Sequence, residues 1–197
     1  LHSLLKNKKY IKRKVKEKEL KIVFALPNDA EHGLCSWEIH INRIKKISDV
    51  LNKFEKCKIF IALHPKSLIK NYQFLIDEYK FKFTNKDLSE ILPYCNICII
   101  SASSTFFWGA LCGISVINFD YDEIYKLWNK KIIKIKNGVY TVCTINEFKK
   151  CYFKVLKEVR KKKYKDLLIK QSKMLSTRFL FDGKVSKRIT KFLVNNE

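Results

Sequence analysis

The sequence predicts an α/β fold, a doubly wound parallel sheet flanked by helices. Three observations carry that prediction. Short runs rich in Ile, Val and Phe alternate with segments of helical spacing. The connections between them are long enough for right-handed crossovers, not hairpins. The strand runs are apolar at consecutive positions, as in Lys21-Ile-Val-Phe-Ala-Leu26 and Ile97-Cys-Ile-Ile100, which fits strands buried on both faces. With 197 residues and 47% hydrophobic content, the chain can bury a full core in one domain with appended helices.

The elements follow in order. Leu4 to Lys18 is charged, with apolar residues at Leu4, Leu5, Ile11 and Val15, and reads as a basic linker helix. Glu19 to Leu26 is the first strand. A polar loop, Pro27 to Cys35, ends at Ser36, a favourable N-cap with Glu38 in the first turn. The helix from Trp37 to Phe54 places Ile41, Ile44, Ile47, Val50, Leu51 and Phe54 at helical spacing. Lys58 to Leu63 is a strand broken by His64-Pro65. Leu68 to Tyr79 reads as a helix, Phe81 to Phe83 as a short strand, and Lys86 to Leu92 as a short helix stopped near Pro93.

Asn96 to Asp120 is the most informative stretch. Strand Ile97–Ile100, a hydroxyl-rich turn, a helix over Thr105–Cys112 and strand Val116–Phe119 form one βαβ unit. Gly113 ends its helix, where a left-handed residue is cheap only for glycine. Beyond it, Ile132–Ile135 and Val139–Val142 read as extended, and Asn146–Arg160, Lys165–Leu175 and Val185–Val194 as helices. The expected organisation is a linker over 1–19, a Rossmann-like domain over 20–143, and C-terminal helices over 144–197 that pack on it or complete it. The expected sheet has five or six strands.

In such sheets ligands bind at the carboxyl edge, where loops and helix N-termini gather. Three loops are expected there. Pro27–Gly33 carries Glu31 and His32, His64-Pro65-Lys66 follows the second strand, and Ser101, Ser103, Ser104 and Thr105 precede a helix. Asp120 and Asp122 follow the next strand. One serine suffices to cap a helix, so four hydroxyls within five residues point to an anion or phosphate. His64 can donate to a phosphoryl oxygen and Lys66 can neutralise it. Glu31 or Asp29 can act as a base or bind sugar hydroxyls. His40 reads as a satisfied residue on a helix face. No GxGxxG and no GxxxxGK[ST] occurs, which argues against a dinucleotide fingerprint and a P-loop.

Seven cysteines, an odd number set mostly in apolar runs such as those of Cys98, Cys112 and Cys143, read as reduced, small hydrophobes of a cytoplasmic protein. Cys95-Asn-Ile-Cys98 has CxxC spacing without a second pair or a nearby His, so no metal site is expected. No apolar run approaches the ~20 residues of a membrane span. The net charge is +22, nearly all from lysine, densest over Lys6–Lys21 and Lys149–Lys173. Three explanations compete: compositional bias, docking on the anionic inner face of the cell membrane, and nucleic-acid binding. No helix-turn-helix, zinc-finger or RNP-type pattern supports the last.

The order Pro27-Asn-x-x-Glu-His-Gly33, Leu63-His-Pro65, Asp87-Leu-Ser-Glu-Ile-Leu-Pro93, Ser101-x-Ser-Ser-Thr105 and Leu111-Cys-Gly-Ile-Ser-Val-Ile117 resembles the C-terminal domain of GT-B glycosyltransferases. Asn118-Phe-Asp-Tyr-Asp122 and Phe181-Asp-Gly183 fit the same pattern, and the resemblance covers Leu20 to Val194. It is strongest to bacterial surface-polysaccharide enzymes: capsule, lipooligosaccharide, sialyl-, Kdo- and polyol-phosphate transferases. The UDP-N-acetylglucosamine 2-epimerases share the architecture.

The resemblance implies a Rossmann-like half of a GT-B fold that holds a CMP-, CDP- or UDP-linked sugar donor, with no cofactor. It implies that His64, Ser103, Ser104 and Thr105 contact donor phosphate and ribose, and that Ser101 and Lys66 lie in the same phosphate site. Glu31 and His32 become catalytic candidates, and Asp120 and Asp122 candidates for the donor sugar or base. Lys66 matches no family motif residue. The retaining-enzyme E-x7-E pattern is not evident at Asp120–Lys126, which favours an inverting, metal-independent transfer to a glycan or lipid-linked acceptor. No acceptor domain is legible and the chain opens on Leu1, so the reading expects a fragment, or a subunit needing an N-terminal domain or partner subunit. The alternatives are an epimerase domain and a non-catalytic basic module.

Overall fold

The computed structural model describes residues 19–54, 57–101, 103, 105–121, 135 and 137–178. The expected linker helix over 4–18, the segment 132–134 and the helix over 185–194 lie outside the described residues, as do Ser104 and Asp122.

Six strands form one sheet: β1 (Leu20–Ala25), β2 (Cys57–Ala62), β3 (Lys82–Phe83), β4 (Ile97–Ser101), β5 (Ser115–Phe119) and β6 (Val139–Val142). Every pairing is parallel, and the order across the sheet is β3-β2-β1-β4-β5-β6. The helices between them are α1 (Trp37–Leu51), α2 (Phe74–Asp77), α3 (Leu88–Ile91) and α4 (Phe106–Leu111), and α5 (Ile145–Glu158) and α6 (Lys162–Arg178) follow β6. The strand order reverses direction between β1 and β4. That is the switch point at which open α/β sheets leave a crevice for ligands.

The period-2 alternation of side chains divides the apolar strands between two cores. Ile22, Phe24, Ile59, Ile61, Ile97, Ile99, Ile117 and Phe119 face one side, against Ile44, Ile47 and Leu51 of α1 and Phe148, Tyr152 and Val155 of α5. Val23, Cys98, Ile100 and Val116 face the other, against Leu92 and Phe106. Both faces are therefore covered, and the polar side chains gather mainly at the strand ends and loops, with Asn118 of β5 a buried exception within the sheet.

Several local expectations hold. Ser36 caps α1 by accepting the Ile39 N–H, and Gly113 follows α4 at φ +66°. Thr144 and Glu147 add a reciprocal capping box at the start of α5. One expectation fails. The helix over 68–79 is instead a 3-10 turn, Ile69–Tyr72, followed by the single α-turn α2. The 3-10 geometry carries Tyr72 inward to full burial. A regular helix repeats every 3.6 residues and would rotate it differently against Leu75. The cysteines are also less uniformly buried than expected: Cys95, Cys98 and Cys151 are buried, while Cys112 and Cys143 are only partly covered.

The helix α6 closes the β6 edge. The Tyr164 hydroxyl lies 2.9 Å from Ser115 Oγ and 3.0 Å from the Tyr140 hydroxyl, which ties α6 to β5 and β6. Gln171 brackets the backbone of Asn137, and Ser172 Oγ donates to the Leu111 carbonyl at the end of α4. No helix among the described residues is long and apolar enough to cross a membrane.

The contact of α4 with β5 depends on Gly109. A Cβ there would meet Val116 Cγ2 at 2.4 Å, and Val116 is fully buried on a central strand. Gly109→Ala gains helix propensity of at most ~1 kcal/mol, whereas overpacking a closed core costs about 1–3 kcal/mol. Urea unfolding is expected to show a net loss of stability. A variant as stable as the parent would mean that α4 does not press on β5.

Candidate functional site

The carboxyl ends of β1, β2 and β4 open at one edge of the sheet, and their loops carry most of the expected site residues. The β1 loop turns on itself through backbone bonds from His32 N–H to Asn28 and from Leu34 N–H to Asp29. This folds Glu31 back over the sheet and leaves His32 exposed on the rim. The β2 loop is a tight turn closed by Ser67 N–H to the His64 carbonyl. The His32 and His64 rings then meet edge to face, with centroids 6.1 Å apart. Two histidines far apart in sequence thus share one rim, as the loop-convergence argument anticipates.

Geometry assigns His64 its tautomer. The Lys66 backbone N–H lies 3.3 Å from His64 Nδ1 and donates to it. Nδ1 is then the acceptor, so the neutral ring carries its proton on Nε2, the nitrogen turned away from its own backbone. The Lys66 side chain is exposed. Its backbone orients the histidine while its ammonium group remains in solvent.

Glu31 is anchored through one carboxylate oxygen, while the other, Oε2, is buried with no hydrogen-bond partner among the described residues. Its Oε1 accepts from both Ser67 Oγ and the Tyr72 hydroxyl at 2.6 Å. His40 Nε2 lies 2.9 Å from the Tyr72 oxygen and 3.9 Å from Glu31 Oε2. Burial alone would raise the Glu31 pKa. The bonds from Ser67 and Tyr72, a bond from its own backbone and the nearby His40 outweigh burial and hold the carboxyl below its ordinary 4.5. The carboxylate is ionised and committed to a network that joins the β1 loop, the β2 loop, the 3-10 turn and α1. His40 itself is fully buried, and burial pushes its pKa below the ordinary 6.5 despite Glu31 and Asp29. It is therefore a neutral interior residue on the core-facing side of α1, with Nε2 bonded to Tyr72. The sequence signal for this was available: Trp37, His40 and Ile44 lie on one helix stripe, and Trp37 packs edge to face on the His40 ring.

On the neighbouring strand, Ser101 is the last residue of β4, and Ser103 and Thr105 follow it, all three half-buried. Ser103 Oγ accepts from the Thr105 N–H at 3.3 Å and from Thr105 Oγ1 at 2.9 Å. Having accepted twice, the Ser103 hydroxyl keeps its own proton for an outside acceptor. The helix it precedes is six residues long, so hydroxyl donors outweigh the dipole of a short helix here.

Asp120 lies just past β5 and is fully buried, with its backbone N–H bonded to Val142 at 2.8 Å. Next to it, the Tyr121 hydroxyl donates to the Arg43 carbonyl, and the Arg43 guanidinium lies 4.8 Å from the Tyr121 ring centroid. This pins the β5 loop against α1. The arrangement as a whole offers two classes of donor, a histidine N–H and hydroxyl groups, around the switch point of the sheet. It suits an anion laid across that crevice.

No family model and no curated protein matches the chain in sequence. Solved structures do match in shape. The wall teichoic acid polymerase TagF is 18% identical with a TM-score of 0.54, covering 99% of this chain and 50% of TagF. The spinosyn rhamnosyltransferase SpnG, complexed with spinosyn aglycone, is 12% identical with a TM-score of 0.54, covering 83% of this chain and 43% of SpnG. TarM is 13% identical with a TM-score of 0.51, covering 93% of this chain and 36% of TarM. SpnG has also been solved with thymidine diphosphate, and TagF after soaking with CDPG. Identities this low establish the fold: the chain is GT-B-like in architecture and spans half or less of the length of these proteins.

Proposed function

We propose that this chain is the nucleotide-sugar donor-binding part of a glycosyltransferase acting in bacterial surface-polysaccharide synthesis, by an inverting, metal-independent transfer. The observation that carries the reading is the pairing of an oriented His64 Nε2–H with the available proton of Ser103 on the two sides of the switch point. A donor diphosphate bridges them: His64 donates to one phosphoryl oxygen, Ser103 to another, and the Lys66 ammonium group offsets the charge. Thr105 holds Ser103 in place, and Ser101 sits where β4 turns into the site. Asp122 is assigned to the donor sugar or base, whereas Asp120, fully buried at the end of β5, is corrected from a donor contact to a residue that holds the start of the loop that follows. The glycan or lipid-linked acceptor is supplied with an N-terminal domain or partner subunit. The likeness in fold to SpnG, solved with thymidine diphosphate, and to TagF, soaked with CDPG, supports this assignment.

Glu31 is a positioning residue in this reading. Its carboxylate locks Ser67 and Tyr72, and through Ser67 it fixes the turn that carries His64. His32, exposed and edge to face with His64, is the side chain of this chain placed to receive a proton at the rim.

Two predictions test these roles. Thermal melts with UMP, UDP, CMP, CDP and matched sugar conjugates are expected to show stabilisation by one base family. The gain is about 2.7 kcal/mol at a hundredfold excess over Kd. His64→Ala, and separately Ser103→Ala, should weaken that binding by about 1–3 kcal/mol each. A cooperative melt that no nucleotide moves would remove the donor reading, and undiminished binding by both variants would remove the site. For the clamp, Tyr72→Phe deprives Glu31 and His40 of a buried partner at once. It should cost about 1–3 kcal/mol in urea unfolding, more than Ser67→Ala at the half-exposed end. The reverse ranking would show that the clamp is anchored through Ser67 instead.

A further inference from the structure

Beside the Glu31 clamp, the same loop gathers three side chains that the donor reading leaves without a role. A carboxylate oxygen of Asp29, Sγ of Cys35 and a ring nitrogen of His40 lie within 4.8 Å of one another. Asp29 and Cys35 are half-buried and His40 is fully buried. All three come from the β1–α1 loop and the first turn of α1, so the local chain fixes the group.

The hydrogen bonds around His40 define which nitrogen is on offer. Tyr72 has one hydroxyl proton and gives it to Glu31 Oε1. Its oxygen can therefore only accept from His40, so Nε2 carries the imidazole proton. Nδ1 keeps the lone pair, and it is buried with no hydrogen-bond partner. A histidine whose far nitrogen donates into a Tyr–Glu relay, with the near nitrogen presenting a lone pair, is the outer-shell arrangement of metal-bound imidazole. A bound divalent cation would draw the proton from the Cys35 thiol, and the Asp29 carboxylate, with Arg43 3.9 Å from its Oδ2, would complete an anionic pair of ligands beside the imidazole.

We propose that Asp29, Cys35 and His40 form a binding site for a divalent transition metal of the zinc class, which pins the β1–α1 loop. Thiolate and imidazole select such an ion over Mg²⁺ or Ca²⁺. Three protein ligands leave a fourth position for water. The proposal stands independently of the donor reading.

The test uses the 197-residue chain without an affinity tag, stripped by a chelator and titrated with Zn²⁺, and with Co²⁺ as the spectroscopic probe. One equivalent should bind, raise the melting temperature and give a thiolate-to-cobalt charge-transfer band. Zn²⁺ should protect Cys35 from alkylation, read by peptide mass spectrometry on the parent chain, while Mg²⁺ gives no protection. Cys35→Ser should abolish the band, and Tyr72→Phe should weaken Zn²⁺ binding by about 10–100-fold through the lost outer-shell bond. Alkylation of Cys35 at equal rates with and without Zn²⁺, or a cobalt spectrum with no thiolate band, would overturn the proposal. Both of those readouts need only the parent chain, so the test keeps its force even where a variant fails to fold.

Discussion

The structure depends on one constraint: a parallel sheet buried on both faces leaves little room for polar side chains between its ends, Asn118 within β5 being a buried exception. Strands such as β4 place Ile97 and Ile99 in one core and Cys98 and Ile100 in the other, and leave only the terminal Ser101 for the edge. Parallel pairing then sends all carboxyl ends to the same edge. Whatever chemistry the chain performs is forced into the loops there, and the reversal of strand order between β1 and β4 opens the gap in which a ligand can lie. Topology thus locates the candidate site before any single residue is considered.

Within that edge, the Glu31 network turns a set of loops into a defined surface. Ser67 and Tyr72 both spend their protons on one carboxylate oxygen, and His40 backs Tyr72 from inside α1. A half-buried carboxylate held at one oxygen in this way stays ionised, because its bonds and the nearby His40 outweigh the desolvation that would otherwise protonate it. In the donor reading the same interaction steadies the turn that carries His64, whose ring is oriented by the Lys66 backbone N–H. The position of Glu31 in the β1 loop was legible and its work was not. A polar residue in a loop carries no mark that distinguishes a base from a clamp; only its partners do.

How legible the rest was follows the same line. The strands, the Ser36 cap and the Gly113 stop were readable because each rests on local chemistry: β-branched runs, a hydroxyl before a helix, a positive φ. The βαβ unit around Ser101–Thr105 was readable for the same reason. The helix expected over 68–79 was not, since its apolar spacing suits a helix and only the demand to bury Tyr72 beside His40 breaks it into a 3-10 turn and one α-turn. The burial of His40 is legible only through its stripe-mates Trp37 and Ile44, since a histidine by itself does not say whether it faces water or core. Asp29, Cys35 and His40 match no zinc motif in sequence, since their residue types are mixed and their spacings unequal. Their proximity arises from the way the β1 loop doubles back on itself.

The charge of +22 has a narrower meaning than its size suggests. On α5, Phe148, Tyr152, Val155 and Leu156 are buried, whereas Lys149, Lys150, Lys154 and Lys157 are exposed. These lysines are the solvent face that an amphipathic helix requires. Moreover, α5 starts just after the carboxyl end of β6 and runs back along the sheet, so its later lysines approach the opposite edge from His64 and Ser103. With a Debye length of about 8 Å at physiological salt, charges so placed cannot discriminate one anion from another at the site. They raise the local concentration of anions around the whole domain and speed encounter, an effect that salt erases. Recognition has to come from groups that touch the ligand. In the donor reading those groups are the His64 N–H and Ser103 O–H, and short-range donors keep their contribution at ionic strengths that silence the lysines.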